Sequence, residues 1–173
     1  MRKAVFLDRD GVINRSPPEH DYVKRWEEFH FLPGVPEAIR KLNRAGFLTI
    51  VVSNQRGIAR GLFTEEDLKD IHNRMLDELR SSGAHIDAIY HCPHDIDEGC
   101  GCRKPEPGMI LRAAKDHDID LACSFMVGDS TADVEAGRRA GVRTIYVGDG
   151  SCDADFHAED LAGAVGVILG DRA

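Results

Sequence analysis

The sequence predicts an α/β fold built on a doubly wound parallel sheet, and three observations predict it. Short apolar runs rich in β-branched residues alternate with helical patterns along most of the chain. Several of these runs end at small, polar strings, "DRDG", "SNQRG" and "GDSTAD", as strands do where they open into loops. No repeat, low-complexity segment or dividing linker interrupts the alternation, so one domain over residues 1–173 is expected.

Ala4–Leu7 is the first expected strand, followed by a polar, proline-containing loop, "RSPPEHDYVKRWEEF". The first helix is expected from about Pro36 to Ala45, with Ala38, Ile39 and Leu42 on one face and Gly46 as its stop. Phe47–Val52 is the second strand. Thr64 is an N-cap ahead of three acids, and Leu68, Ile71, Met75, Leu76 and Leu79 then form a core-facing helical stripe. Ile86–Tyr90 is the third strand, a helix begins near Gly108, and Ser124–Val127 is the fourth strand. A helix opens within "GDSTADVEAGRRAG", and Thr144–Val147 is the fifth strand. Beyond Gly150 the periodicity weakens, and Val165–Leu169 reads equally as a short strand or a helix.

The formal charge of −8 argues against a nucleic-acid partner, which needs surplus Lys and Arg. No apolar run approaches the roughly 20 residues of a membrane span, and the N-terminus moves straight into a strand without a signal-peptide pattern. Five cysteines, three of them in one loop, read as metal binding rather than a disulfide framework. A cytoplasmic monomer acting on a small molecule is the expectation.

In open parallel sheets ligands bind at the carboxyl ends of the strands. Four expected strand ends carry reactive residues: Asp8 and Asp10, then Ser53 and Asn54, then Lys104 beyond the third strand, then Asp129 and Asp133. Any one of these strings occurs readily in a solvated turn. All four in this order, as "FLDRDG", "VVSN", "RKP" and "VGDSTAD", resemble the haloacid dehalogenase superfamily of phosphohydrolases, over residues 4 to about 148. The resemblance implies a Rossmann-like, haloacid dehalogenase-like fold. The gaps after strands one and three are too short for a cap domain, so a capless form with a zinc loop is expected.

The residue chemistry suits those roles. Asp8 and Asp10, two apart on an extended segment, face the same way, so both can address one phosphate. A carboxylate attacking phosphorus needs charge screening, which Mg²⁺, a hard cation favouring oxygen, supplies. Asp8 and Asp129 would ligate it by side chain and Asp10 by its carbonyl. The Asp10 side chain is then free as general acid and base for a route through an aspartyl-phosphate. Ser53 and Lys104 would hold the phosphoryl oxygens. Asp133 would support the metal's water shell.

Residues 90–109, "YHCPHDIDEGCGCRKPEPGM", place Cys92, His94, Cys100 and Cys102 within eleven residues. Three thiolates and an imidazole fill a tetrahedral Zn²⁺ shell with no position left for substrate, which makes the site structural. Zinc would order the loop that aims Arg103 and Lys104 at the substrate.

More narrowly, "FLDRDGVIN", "SNQRGIARGLFTEEDL", "CPH", "CGCRKPEPGM" and "MVGDSTADVEAG" are similar to the D-glycero-D-manno-heptose 1,7-bisphosphate phosphatase family. That likeness implies removal of the 7-phosphate in nucleotide-activated heptose biosynthesis for lipopolysaccharide or surface glycan. It implies substrate contacts from Asn54, Gln55, Arg56 and Arg103, and from the loop of Glu19, His20, Asp21 and Tyr22. Ser53 stands where that family more usually has Thr, and keeps the hydroxyl. Histidinol-phosphate phosphatases share a comparable zinc loop and are the alternative substrate class. A non-catalytic zinc-bearing module is the alternative of a different kind, and it would need none of the four strand-end strings. Three other residues have bland expectations: Cys123 as a small buried hydrophobe, His72 at the surface or the core edge, and Trp26 packing the first loop.

Overall fold

Strand β1 (Ala4–Leu7) has a parallel neighbour on each side, β2 (Leu48–Asn54) and β4 (Phe125–Gly128). Beyond β2 lies β3 (Ala88–Cys92), and beyond β4 lie β5 (Arg143–Val147) and β6 (Phe156–Ala158). The structure, a computed structural model, describes residues 1–170. The order β3-β2-β1-β4-β5-β6 means that the chain winds outward through β3, then crosses the centre and winds the other way. The reversal between β1 and β4 opens a crevice at their carboxyl ends.

Strand alternation divides the core. Val5 and Leu7 of β1 face one cluster, while Ala4 and Phe6 face the other. On the first face pack α1 (Val35–Arg44), α2 (Glu65–Ser81) and α5 (Leu161–Leu169), through Ile39, Leu42, Ile71, Met75, Leu79 and Val165. On the second pack α3 (Gly108–His117) and α4 (Thr131–Ala140), through Ile110, Ala113, Ala136 and Ala140. Burying a Val, Leu or Ile side chain contributes about 1.5–3 kcal/mol. These two layers, more than helix propensity, hold the elements in place. At Thr64 the expected cap is a reciprocal box: Asp67 N–H donates to Thr64 Oγ1 at 3.1 Å and Thr64 N–H to Asp67 Oδ2 at 2.8 Å.

The observed elements depart from expectation in four places. β2 runs on through Ser53 and Asn54, because β3 pairs with it to the Asn54–Cys92 register. β3 starts at Ala88 rather than Ile86, since the Asp87 carboxylate accepts from Thr49 N–H at 2.8 Å and ends the approach to the sheet there. The first zinc-loop ligand, Cys92, is thus the last residue of a strand. β6, three residues long with Phe156 and His157 exposed, has no legible alternation and was not expected, while Val165–Leu169 takes the helical one of its two expected forms, in α5. Cys123 is exposed rather than buried, because it ends a 3-10 turn (Leu121–Cys123) outside the sheet. Trp26 stacks on Phe29 with ring centroids 5.0 Å apart, as packing of the first loop requires. Among the described residues no domain is inserted between β1 and α1 or between β3 and α3.

Candidate active site

The β1–β4 crevice collects the acids. Asp8 N–H donates to the Val127 carbonyl at 3.0 Å, so β1 stays paired with β4 up to its reactive end. Lys104 arrives from the loop after β3 and is buried between two of the acids, its Nζ 2.8 Å from Asp8 Oδ1 and 2.7 Å from Asp133 Oδ1. Its third donor goes to the Val52 carbonyl at 2.8 Å. Asn54 at the end of β2 grips the Lys104 backbone in both directions, donating to its carbonyl at 3.1 Å and accepting its N–H at 3.0 Å. Ser53 is buried beside it and accepts from Gln55 Nε2 at 2.8 Å.

Gly11 turns the chain under this cluster at φ +90°, and a Cβ there would collide with the Asp129 carboxylate. Asp133 Oδ2 accepts from Asp129 N–H and Ser130 N–H, both at 3.1 Å, and from Ser130 Oγ at 2.8 Å. That is the capping box of α4, and with Lys104 on Oδ1 it engages both carboxylate oxygens of Asp133.

Asp10 sits apart from the lysine. Its Oδ1 accepts from Arg9 Nη2 at 2.9 Å, Arg9 Nε at 3.2 Å and Asn14 Nδ2 at 2.9 Å. The Oδ2 atom has, among the described residues, only Gln55 Nε2, at 3.5 Å.

The loop after β3 gathers the soft ligands. Cys92 Sγ lies 3.3 Å from His94 Nδ1, 3.6 Å from Cys100 Sγ and 3.0 Å from Cys102 Sγ, and His94 Nδ1 lies 3.2 Å from Cys102 Sγ. All the cysteines are free. Ligands at about 2.3 Å (S) and 2.0 Å (N) from a tetrahedral zinc stand roughly 3.5–3.8 Å from one another, so modest outward adjustment admits the ion. Gly99 makes the turn between the two ligand pairs at φ +65°. Burial raises the Cys92 thiol. Burial would raise Cys100 as well, but the backbone N–H groups of Arg103 and Cys102 outweigh it and bring that thiol down to about 7.

Comparison with known proteins decides the family. A family profile described as "HAD-hyrolase-like" matches residues 101–168. The D-glycero-beta-D-manno-heptose-1,7-bisphosphate 7-phosphatase of Rhodopseudomonas palustris is 47% identical, covering 82% of this chain and 81% of its own. The D-glycero-alpha-D-manno-heptose-1,7-bisphosphate 7-phosphatase of Burkholderia mallei is 43% identical, covering 96% and 88%. The crystal structure of D,D-heptose 1.7-bisphosphate phosphatase from B. bronchiseptica, complexed with magnesium and phosphate, superposes with a TM-score of 0.90 at 38% identity, covering 98% and 99%. The chain belongs to the D-glycero-D-manno-heptose-1,7-bisphosphate 7-phosphatase family.

The electrostatics of this phosphatase call for a cation. Burial raises the Asp8 carboxyl well above the ordinary 3.8, and the charges of Asp133 and Asp129 push the same way against Lys104. Burial raises Asp129 too, with Asp133 adding to it. Burial would lower Lys104, but Asp133 and Asp8 more than reverse that and keep it charged. Three carboxylates whose oxygens lie within 4.8 Å of one another thus face one ammonium. An all-oxygen set with surplus negative charge fits Mg²⁺, whereas the Cys92, His94, Cys100, Cys102 set fits Zn²⁺.

The structure places the expected residues of the phosphatase unevenly. Asp8, Ser53, Lys104, Asp129 and Asp133 converge on the crevice, and Asp10 and Gln55 border it. Asn54 directs its amide at the Lys104 backbone. Arg56 Nε lies 3.1 Å from Asp95, tying the loop after β2 to the zinc loop. The buried Arg103 Nη1 has no hydrogen-bond partner among the described residues. Of the first loop, Glu19 and His20 point to solvent, Asp21 pairs with Lys24 at 2.7 Å, and Tyr22 turns toward Phe63, ring centroids 6.0 Å apart.

Sequence reasoning missed Arg9, Asn14 and His72. Arg9 is fully buried, and His72, expected at the surface or core edge, is buried with its Nε2 3.1 Å from Arg9 Nη1. A signal for Arg9 was present: an arginine between two acids on a buried strand end must find partners inside. Nothing in the sequence pointed from α2 back to β1.

Proposed function

We propose that the chain removes the 7-phosphate of D-glycero-D-manno-heptose 1,7-bisphosphate by way of an aspartyl-phosphate on Asp8, as a single-domain cytoplasmic monomer. The observation that carries the reading is Lys104 held between Asp8 and Asp133 at the crevice, beside Asp129 and Ser53, in a chain of this family.

Asp8 attacks phosphorus, forming an Oδ–P bond as the bond to the sugar oxygen breaks. Asp10 gives its proton to that departing oxygen. It then takes a proton from water, the water oxygen bonds to phosphorus, and Asp8 is released with inorganic phosphate. Lys104 and the Ser53 hydroxyl hold the phosphoryl oxygens, where spread negative charge dominates the barrier. The Asp8 and Asp129 side chains and the Asp10 carbonyl would hold Mg²⁺, which when bound would screen the charge that nucleophile and phosphate share. Asp133 fixes Lys104 and the Asp129 backbone. The Arg103 guanidinium, whose buried Nη1 has no hydrogen-bond partner among the described residues, takes the second anionic group of the substrate, and Gln55, Arg56 and Tyr22 border the sugar. Zinc at Cys92, His94, Cys100 and Cys102 holds the loop that presents Arg103 and Lys104.

Phosphate release from the two anomers of the heptose bisphosphate, measured against histidinol phosphate in Mg²⁺, tests the assignment. A clear preference for either bisphosphate anomer, abolished in Asp8→Asn, is expected. Equal or better turnover of histidinol phosphate would refute it.

A further inference from the structure

Asp10 has two oxygens in opposite surroundings. Around Oδ1 stand three groups that only donate here: Arg9 Nη2–H, Arg9 Nε–H and the Asn14 amide. The Asn14 amide is oriented by a second acceptor, the Arg15 carbonyl, to which its Nδ2 donates at 3.1 Å, while its Oδ1 is buried with no hydrogen-bond partner among the described residues. A proton on Oδ1 would face donors alone. Oδ2, with Gln55 Nε2 at 3.5 Å as its one contact among the described residues, belongs to a side chain still 25% exposed at the crevice.

Arg9 is in turn fixed from a distant element. Its side chain is fully buried, and it stacks over Phe29, 5.9 Å from the ring centroid. A guanidinium never accepts, so at 3.1 Å Arg9 Nη1 donates and His72 Nε2 presents its lone pair. Burial, then the charges of Arg9 and His91, push His72 down to about 3, so it stays neutral. Without His72, Nη1 would be a buried donor with no partner, and the guanidinium would turn to seek one.

We propose that Arg9 and Asn14 divide the labour of the Asp10 carboxyl, anchoring Oδ1 so that Oδ2 alone carries the proton, and that His72 on α2 is the positioning residue that holds Arg9 in that pose. The proposal rests on Asp10 acting as the acid of the proposed reaction. It extends the site from the end of β1 to a helix packed on one face of the sheet.

The test uses the leaving group. A sugar alkoxide needs the proton of Asp10 to depart, whereas p-nitrophenolate leaves without it. With Mg²⁺-loaded, zinc-replete enzyme, His72→Leu is expected to lower kcat/KM on the heptose bisphosphate about 10-fold or more, and kcat/KM on p-nitrophenyl phosphate less than about 3-fold. That ratio reports the attack by Asp8 and not the later hydrolysis, in which Asp10 is the base for both substrates. His72→Gln, which retains an acceptor, should restore most of the sugar activity. Should His72→Leu fail to fold, Asn14→Ala removes a donor from the same oxygen and carries the same expectation of a sugar-selective loss. An equal loss on both substrates, or no loss on either, would overturn the proposal. Wild-type enzyme that cleaves the aryl ester but not the bisphosphate would instead sink the substrate assignment, and the comparison would then be run on an alkyl phosphomonoester that it does cleave.

Discussion

Asn54 and Lys104, fifty residues apart, hold one another by two reciprocal hydrogen bonds, amide to carbonyl at 3.1 Å and N–H to amide oxygen at 3.0 Å. The end of a central strand thereby sets where the zinc loop delivers its lysine. Asn54→Ala leaves a backbone donor and an acceptor without these partners, so a stability loss of about 1–3 kcal/mol is expected by denaturant unfolding. Misplacement of Lys104 should cost kcat on the order of 10²-fold, with a smaller change in KM. Near-wild-type kcat in this variant would show that Lys104 finds its place unaided.

Cys102 lies two residues before Lys104, so the zinc site and the phosphate site are expected to fail together. Structural zinc contributes on the order of 10 kcal/mol to the ordering of such sites. Chelation, or Cys102→Ser, should expose residues 93–101 to limited proteolysis and abolish activity that Mg²⁺ alone does not restore. Zn²⁺ added back to the chelated wild type should recover both protection and turnover. Full activity in zinc-depleted protein would contradict this coupling.

The Asp8 carboxyl, raised above 3.8 by burial and by Asp133 and Asp129, is expected to set the pH dependence of Mg²⁺ binding if it is a ligand as proposed. In metal-free protein the folded state holds that proton more tightly than the unfolded chain. Its contribution is therefore fully present below pH 3.8 and is lost as pH rises through the raised value. Mg²⁺ competes with the proton, so the increase in melting temperature on adding Mg²⁺ should grow with pH. At a free concentration of 100 times its dissociation constant, stabilisation of about 2.7 kcal/mol is expected. A melting-temperature gain that shrinks as pH rises would contradict the assignment of Asp8 as a ligand.

His72 works in the opposite sense. Its folded-state value, pushed down to about 3 from 6.5, means that below pH 6.5 only the unfolded chain takes up the proton readily. Its contribution to stability is complete above pH 6.5 and disappears as pH falls toward 3, amounting to a few kcal/mol at roughly 1.4 kcal/mol per pH unit. The groups facing it are Arg9 and His91, whose Nε2 donates to Glu65 at 2.7 Å. Acid unfolding of His72→Gln should show a shallower slope between pH 6.5 and 3 than the wild type. Identical slopes would mean that His72 is solvated in the native state.

Alternating apolar runs, four reactive strand ends and the close spacing of Cys92, His94, Cys100 and Cys102 were enough, as sequence, to specify the parallel sheet, a cluster that could hold a metal and the acids of the crevice. Each is a local pattern: strand residues buried on both faces must be continuously apolar, and metal ligands two residues apart share a side of an extended segment. The short strand β6 stayed hidden because Phe156 and His157 are exposed and carry no alternation. Only tertiary structure could bring His72 of α2 to Arg9 of the β1 loop, 63 residues away, or engage both oxygens of Asp133 with a helix cap and a lysine. Such partners are chosen by the need to satisfy buried polar groups once the layers have closed, and that need has no periodicity in the chain.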